Sequence, residues 1–98
     1  MYTVKSLPEF SDWLNSLKDP VTKSRLIRRL EKVARGLLGD VEPVGEGVSE
    51  MREYFGSGWR MYYVERRSTL IIMLGGGDKA TQRADMSKAI ALSRTIEE

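Results

Sequence analysis

The 98-residue chain contains neither cysteine nor histidine. The absence of cysteine excludes a disulfide framework, a thiolate nucleophile and a zinc–thiolate site. The absence of histidine removes the commonest metal ligand and the side chain best suited to proton transfer near neutral pH. We therefore expect a protein that works without a metal ion or any other cofactor.

Long apolar runs are also missing. No stretch approaches the roughly 20 residues that a membrane-spanning helix needs. The N-terminal MYTVKSLPEF lacks the basic segment and the apolar run of a signal peptide. The length suits a single domain, 1–98, with one buried core. These features predict a cytoplasmic protein with no membrane partner.

The charge is unevenly distributed, although the net charge is only +2. Residues 21–35 carry six basic side chains and a single acid, Glu31, whereas residues 37–58 carry five acids and a single base, Arg52. A basic helix beside an acidic loop suits an RNA or an acidic protein partner. The alternative is that most of these charges only solvate a helix surface.

Two amphipathic helices are predicted in the first part of the chain. The first follows a short strand within residues 2–7 and has apolar residues at i, i+3, i+4 and i+7 from Phe10, until Lys18-Asp19-Pro20 ends it. So short a break predicts an antiparallel helix hairpin. The second helix is expected to bury one stripe: Leu26, Ile27, Leu30, Val33, Ala34 and Leu37.

The second half of the chain predicts a sheet. Residues 40–47 (DVEPVGEG) indicate a loop, since they contain one proline and two glycines. Three strands follow at about 48–55, 59–66 and 68–75, and a terminal helix starts near Thr81. The predicted fold is α+β, with a small, mainly antiparallel sheet, the order β-α-α-β-β-β-α and the helix hairpin on one face.

Strand alternation places arginines and tyrosines together. Four residues are expected on the sheet face opposite the hairpin: Arg52, Tyr54, Arg60 and Tyr62. Guanidinium groups pair with phosphates and phenol rings stack on unpaired bases, so this face suits RNA. The alternative is that both tyrosines are ordinary strand formers and that Arg52 pairs with Glu50 or Glu53.

The segment LIIMLGGGDKATQ (70–82) runs from an apolar strand into three glycines. It lacks both the phosphate-loop spacing and the dinucleotide-binding spacing, so we do not expect a nucleotide site. Two roles remain open. Either Asp78 or Thr81 caps the last helix while the glycines supply positive φ, or Lys79 and Gln82 converge with Arg60 on one sheet edge.

Three motifs in order carry a family resemblance: GVSEMR at 47–52, GSGWR at 56–60 and GGDKATQ at 76–82. Together with the order of elements, they resemble the RelE/HigB/ParE superfamily of toxins from bacterial type II toxin–antitoxin modules. More narrowly, the chain is similar to the addiction module killer proteins, which are usually assigned to HigB- or RelE-like toxins. The similarity covers nearly the whole chain, with Met51 in place of the usual leucine and Trp59 in place of the usual tyrosine.

The resemblance implies an endoribonuclease that cleaves mRNA, commonly in the ribosomal A site, and so arrests translation. It also implies inhibition by a cognate antitoxin, expected to be a helix-turn-helix protein. By motif position the catalytic residues are expected to be Arg52, Arg60, Lys79 and Asp78. RNA binding is expected from Tyr54, Tyr62, Gln82 and Arg83.

Two other functions remain open. A ParE-like toxin that inhibits DNA gyrase without nuclease activity would share the fold, and so would an inactive remnant that only binds an antitoxin. Two features depart from the nuclease pattern. Glu53 lies close to where other RelE-like proteins carry a lysine, and the lack of histidine removes the acid–base pair that some HigB-type enzymes use.

Overall fold

The computed structural model describes residues 1–96. It is α+β, with one five-stranded sheet and three helices. The elements in chain order are β1 (Thr3–Ser6), α1 (Pro8–Ser16), α2 (Pro20–Ala34), β2 (Val41–Gly45), β3 (Val48–Arg52), β4 (Arg60–Arg66), β5 (Leu70–Gly77), a short 3-10 turn (Lys79–Thr81) and α3 (Gln82–Ser93).

The sheet has the strand order β1-β5-β4-β3-β2. Strand β1 runs parallel to β5, whereas the pairs β5–β4, β4–β3 and β3–β2 are antiparallel. The sheet is therefore mixed. As predicted from its apolar sequence, β5 is an interior strand, because it lies between β1 and β4.

Both faces of the sheet are covered. On one face Phe10 of α1 and Leu26 of α2 pack with Met61 and Met73. On the other face Ala89 of α3 packs with a second apolar cluster that contains Val64. Helices α1 and α2 do lie on one face, but each makes its main contacts with strands rather than with the other helix.

The predicted order of elements was wrong at one point, because β2 occupies the segment 40–47 that was expected to be a loop. Val41 and Val44 are half-buried against the two core clusters. Pro43 is tolerated because β2 is an edge strand, where one missing N–H donor does little harm. The proline and glycines that suggested a loop mark an irregular edge strand and its tight turn.

The predicted stripe of α2 was also partly wrong. Ile27 is 40% exposed and Leu37 is 60% exposed, whereas Arg29 is only 8% exposed. The buried positions are Thr22, Leu26, Arg29 and Val33. They follow helical spacing, but one of them is a charged residue that a hydrophobicity pattern assigns to the surface.

The glycines that end β5 do not supply positive φ, contrary to one expectation. Their role is close packing instead. A Cβ on Gly76 would lie 2.6 Å from Cε3 of Trp13, and a Cβ on Gly77 would lie 2.8 Å from Cγ of Asp85. Both distances are shorter than real Cβ contacts, so a helix approaches β5 from each face at a point that only glycine permits.

We predict that Gly76→Ala lowers the free energy of unfolding by about 1–3 kcal/mol, because the new methyl group overpacks against Trp13. Gly75→Ala is the matched control, since its Cβ would meet no atom within 4 Å. Chemical denaturation of both variants measures the difference. Equal stability of the two variants would contradict the packing argument.

Candidate functional site

Three basic residues that are distant in sequence meet at one edge of the sheet. Arg52 ends β3 and lies opposite Arg60, which begins β4, and Arg60 lies opposite Gly77 at the end of β5. Lys79 follows two residues later. An open cleft of about 310 Å³ lies there, lined by Arg52, Arg60, Lys79 and residues of the 53–58 loop.

The 53–58 loop holds two of these basic residues in place. The Lys79 backbone N–H donates to the Ser57 carbonyl at 3.2 Å, and Nη1 of Arg60 donates to the Gly58 carbonyl at 2.8 Å. Gly58 has φ of 79°, and a Cβ there would lie 3.3 Å from Nη1 of Arg60 and 3.4 Å from Cβ of Lys79. Glycine therefore provides both the left-handed turn and the room between the two side chains.

Arg60 is the more buried of the two arginines. Its Nε lies 3.7 Å from Oε2 of Glu50, whose own side chain is nearly fully buried. Nε2 of Gln82 donates to the other Glu50 oxygen at 3.4 Å. Glu50 lies too far from Nε of Arg60 for a hydrogen bond, but it offsets part of the Arg60 charge, because charge interactions are stronger where water is excluded.

Arg52 pairs with carboxylates from outside its own strand. Its guanidinium contacts Asp40 at 3.1 Å and Glu42 at 3.2 Å, rather than Glu50 or Glu53 as the alternative interpretation expected. Tyr54 and, next, Arg52 hold the pKa of the Asp40 carboxyl below its usual value. A hydrogen bond to Asp40 in turn raises the pKa of Tyr54 above its usual value.

The remaining predicted site residues are spread around the cleft. Asp78 caps the 3-10 turn, since its Oδ1 accepts from the Ala80 backbone N–H at 3.0 Å. Lys79 is exposed, and no ion pair involves it within residues 1–96. Gln82 is bound to Glu50 beneath the cleft, and Arg83 lies exposed on the first turn of α3, outside the lining of the cleft.

The expectation that Tyr62 binds RNA is wrong. Tyr62 is 0% exposed because α3 covers the sheet face that was expected to be open. A phenol ring in this position cannot stack on a base of a bound RNA. Tyr54, in contrast, is 77% exposed and lines the cleft, so it is the tyrosine that solvent and ligands can reach.

We predict that Tyr62→Phe leaves the protein as stable as the parent or slightly more stable at pH 7. The buried Tyr62 hydroxyl has no hydrogen-bond partner among residues 1–96, so its removal relieves a desolvation penalty. Thermal or denaturant unfolding measures this effect. A loss of more than about 1 kcal/mol would show that the hydroxyl makes a stabilising hydrogen bond.

The same variant has a predicted pH dependence. Burial, followed by Glu50 and Asp85, raises the pKa of Tyr62 above its usual value of about 10. Above pH 10 the unfolded chain therefore releases this proton before the native state does, and stability falls as the pH rises. The Tyr62→Phe variant lacks this loss, so its advantage over the parent should grow above pH 10.

Sequence interpretation missed two important residues, Arg29 and Glu50. The buried face of α2 includes Arg29 at helical spacing from Leu26 and Val33, and this spacing was the available signal. Glu50 alternates with Met51 in β3 and so belonged to the face that α3 covers. Neither position could be recognised from hydrophobicity, because both side chains are charged.

None of the helices within residues 1–96 is long and apolar enough to cross a membrane.

Comparison with known proteins finds one similar protein. No protein-family model matches it. No solved structure matches it either. A Haemophilus influenzae protein (strain ATCC 51907 / DSM 11121 / KW20 / Rd), described as an uncharacterized protein, is 33% identical over 93 residues, which cover 95% of this chain and 94% of that protein. At this identity and coverage, the chain belongs to the same family as the Haemophilus influenzae protein.

Proposed function

We propose that this protein is the toxin of a type II toxin–antitoxin module of the RelE/HigB/ParE superfamily, and that it cleaves mRNA on the ribosome. The observation that carries the proposal is the convergence of Arg52, Arg60 and Lys79 on one open cleft. These residues come from three separate motifs of the resemblance. A cleft with three cations and an exposed tyrosine suits a phosphodiester with unpaired bases beside it.

The proposed reaction is attack of a ribose 2′-oxygen on the adjacent phosphorus, with departure of the 5′-oxygen. The 2′-hydroxyl passes its proton to water or to a ribosomal group, the P–O2′ bond forms, the P–O5′ bond breaks and the leaving oxygen gains a proton from the protein. The products are a 2′,3′-cyclic phosphate and a 5′-hydroxyl. Each step needs alignment, charge stabilisation or proton transfer from the enzyme or its surroundings.

Arg60 is the main charge stabiliser in this mechanism. Its guanidinium can donate to two phosphate oxygens of the pentacoordinate transition state, and the hydrogen bond to the Gly58 carbonyl holds it in place beforehand. Arg52 plays the same role at the other side of the cleft once the RNA phosphate competes with Asp40 and Glu42.

Proton transfer is assigned to Lys79, the exposed cation beside Arg60. Lys79 can protonate the leaving 5′-oxygen, since an ammonium group is a proton donor at neutral pH. The carboxylate of Asp78 already accepts a hydrogen bond as a cap, which disfavours it as the base. With so few acid–base groups in the cleft, the ribosome is expected to supply part of the alignment of the 2′-hydroxyl.

The partners that follow from this proposal are mRNA, the ribosome and a cognate antitoxin, expected to be a helix-turn-helix protein that covers the basic surface or clamps the helices. The site of action would be the cytoplasm, where translation occurs.

The decisive experiment adds purified protein to a reconstituted translation reaction and maps mRNA ends by primer extension. We expect new 5′-ends within the open reading frame on translating ribosomes and few on free mRNA. A parallel DNA supercoiling assay with gyrase tests the ParE-like alternative. Intact mRNA together with inhibited supercoiling would replace the nuclease proposal by that alternative, and no effect in either assay would indicate an inactive antitoxin-binding remnant.

A further inference from the structure

A second polar groove adjoins the cleft. It has a volume of about 200 Å³ and runs along α2, with Arg25, Arg28, Arg29 and Lys32 on one side and Glu53 on the other. Glu53 also lines the cleft, so the two depressions share a wall. A chain that leaves the cleft past Glu53 therefore enters the groove on α2.

The groove has a net positive charge that the protein does not neutralise. Arg29 and Glu53 form an ion pair with each other, so their charges cancel and do not add to the net charge of the groove. Arg25, Arg28 and Lys32 remain, and no carboxylate within residues 1–96 forms an ion pair with them. A polyanion would therefore meet three cations on this surface.

These three cations share one helix face. They stand at i, i+3 and i+7, and a rise of 1.5 Å per residue puts the first and last about 10 Å apart along the axis. That length suits a stretch of backbone with successive phosphates better than it suits a single isolated anion.

Aromatic groups connect the groove with the cleft. The Arg25 guanidinium lies 4.3 Å from the centre of the Phe55 ring, which holds it over the loop that also carries Tyr54. Tyr54 is largely exposed at the cleft end of this loop. Cations flanked by an accessible aromatic ring are typical of single-stranded nucleic-acid surfaces, whereas an acidic protein would not need the ring.

We propose that the groove formed by Arg25, Arg28 and Lys32 binds the backbone phosphates of single-stranded RNA that flank the scissile phosphate in the cleft. This inference rests on the proposed nuclease function and extends it to the length of RNA that the protein holds. The groove increases the affinity for RNA and determines which phosphate lies in the cleft, where the RNA is cleaved.

The test uses a groove variant, which is the double substitution Arg28→Gln and Lys32→Gln. The control variant is the double substitution Lys5→Gln and Lys88→Gln, which removes the same charge from β1 and α3. Fluorescence anisotropy measures binding of labelled single-stranded RNA of about four and about twelve nucleotides across a salt series. We expect the parent to bind the longer RNA more tightly. The groove variant should lose that preference, and the slope of log K against log salt should fall in magnitude by about 1.4, at roughly 0.7 per lost contact.

The cleavage assay on translating ribosomes gives a second readout. The groove variant should raise KM while kcat stays near the parent value, and the control variant should leave both unchanged. Unaltered RNA binding and KM in the groove variant, with intact cleavage, would overturn this inference and leave the nuclease proposal standing. Groove-dependent RNA binding without any cleavage would contradict the nuclease proposal instead.

Discussion

Replacement of Arg60 by alanine is expected to reduce mRNA cleavage on ribosomes by about 10²–10³-fold, with most of the loss in kcat. A hydrogen bond to the Gly58 carbonyl holds the guanidinium before substrate binds, and the Glu50 carboxylate attracts it at 3.7 Å, so it needs little reorganisation in the transition state. Its side chain is only 13% exposed, and charge stabilisation is stronger where water is largely excluded. Primer extension at several protein concentrations measures the rate.

Arg60→Ala also leaves the buried Glu50 with Gln82 as its remaining partner, so lost folding must be separated from lost chemistry. Arg60→Lys serves this purpose, because it keeps a positive charge near Glu50 but loses the planar fork that binds two phosphate oxygens. We expect Arg60→Lys to stay folded by circular dichroism and to retain only part of the activity. Full activity in folded Arg60→Lys and Arg60→Ala would exclude Arg60 from catalysis.

Lys79→Ala provides an independent variant, because Lys79 is exposed and its loss leaves no buried group unpaired. A proton-transfer role predicts a fall in kcat of roughly 10²-fold with little change in KM. Lys18→Ala, another exposed lysine far along the chain from the cleft motifs, is the matched control. Equal effects of both variants would attribute the result to net charge rather than to the cleft.

Replacement of Arg29 by methionine is expected to lower the free energy of unfolding by about 3–5 kcal/mol. The Arg29 guanidinium donates to the Leu38 carbonyl at 2.8 and 3.1 Å, to the Asp40 carbonyl at 2.7 Å and to the Arg52 carbonyl at 2.9 Å, and it also pairs with Glu53. Methionine fills a similar volume but leaves these acceptors unpaired in a poorly hydrated place. Typical domains have only about 5–15 kcal/mol of stability, so this loss is a large fraction of the total.

Arg28→Met is the control for this prediction, since Arg28 is the exposed neighbour on the same helix. Glu53→Gln keeps a hydrogen-bond acceptor beside Arg29 and should have a smaller effect than Arg29→Met. Denaturant unfolding of the three variants gives the comparison. If Arg29→Met changes the free energy of unfolding by less than about 0.5 kcal/mol, it behaves like an ordinary surface substitution, and the Arg29 hydrogen bonds do not stabilise the fold.

Arg29 also matters for the candidate site. It joins α2 to the chain before β2 and to the end of β3, where Arg52 begins the cleft. Gly39 lies against the guanidinium, and a Cβ there would approach Nη2 at 3.0 Å. Arg29 belongs to the basic run of residues 21–35, yet its buried guanidinium stabilises the segments that form the cleft.

Much of the fold could be predicted from local patterns. The break at Asp19 and Pro20 is a capped helix start, since Asp19 accepts from the Val21 N–H at 3.1 Å and from the Thr22 hydroxyl at 2.8 Å. The apolar run of β5 predicted an interior strand, and the spacing from Met86 to Ile90 predicted α3. These features depend on residues close in sequence, so the periodicity of one element was enough to predict each of them.

The errors at Tyr62 and Arg29 have one origin, which is contact between distant segments. Alternation in β4 separated Tyr62 from Tyr63, but it could not tell that α3 would cover the face of Tyr62. Helical spacing in α2 included Arg29, but its burial is favourable because of groups 9 to 24 residues away: the Leu38, Asp40 and Arg52 carbonyls and the Glu53 carboxylate.

The sequence by itself determined which residue types meet at the candidate site, because the ends of adjacent antiparallel strands share a sheet edge and the motifs carry Arg52, Arg60 and Lys79 to those ends. Only the tertiary structure decided how each charge is used. It pairs Arg52 with Asp40, Arg60 with Glu50 and Arg29 with Glu53, and it buries Tyr62 while Tyr54 stays exposed. The physical reason is that burial and ion pairing depend on which surfaces dock, and docking is a property of the whole chain rather than of any one segment.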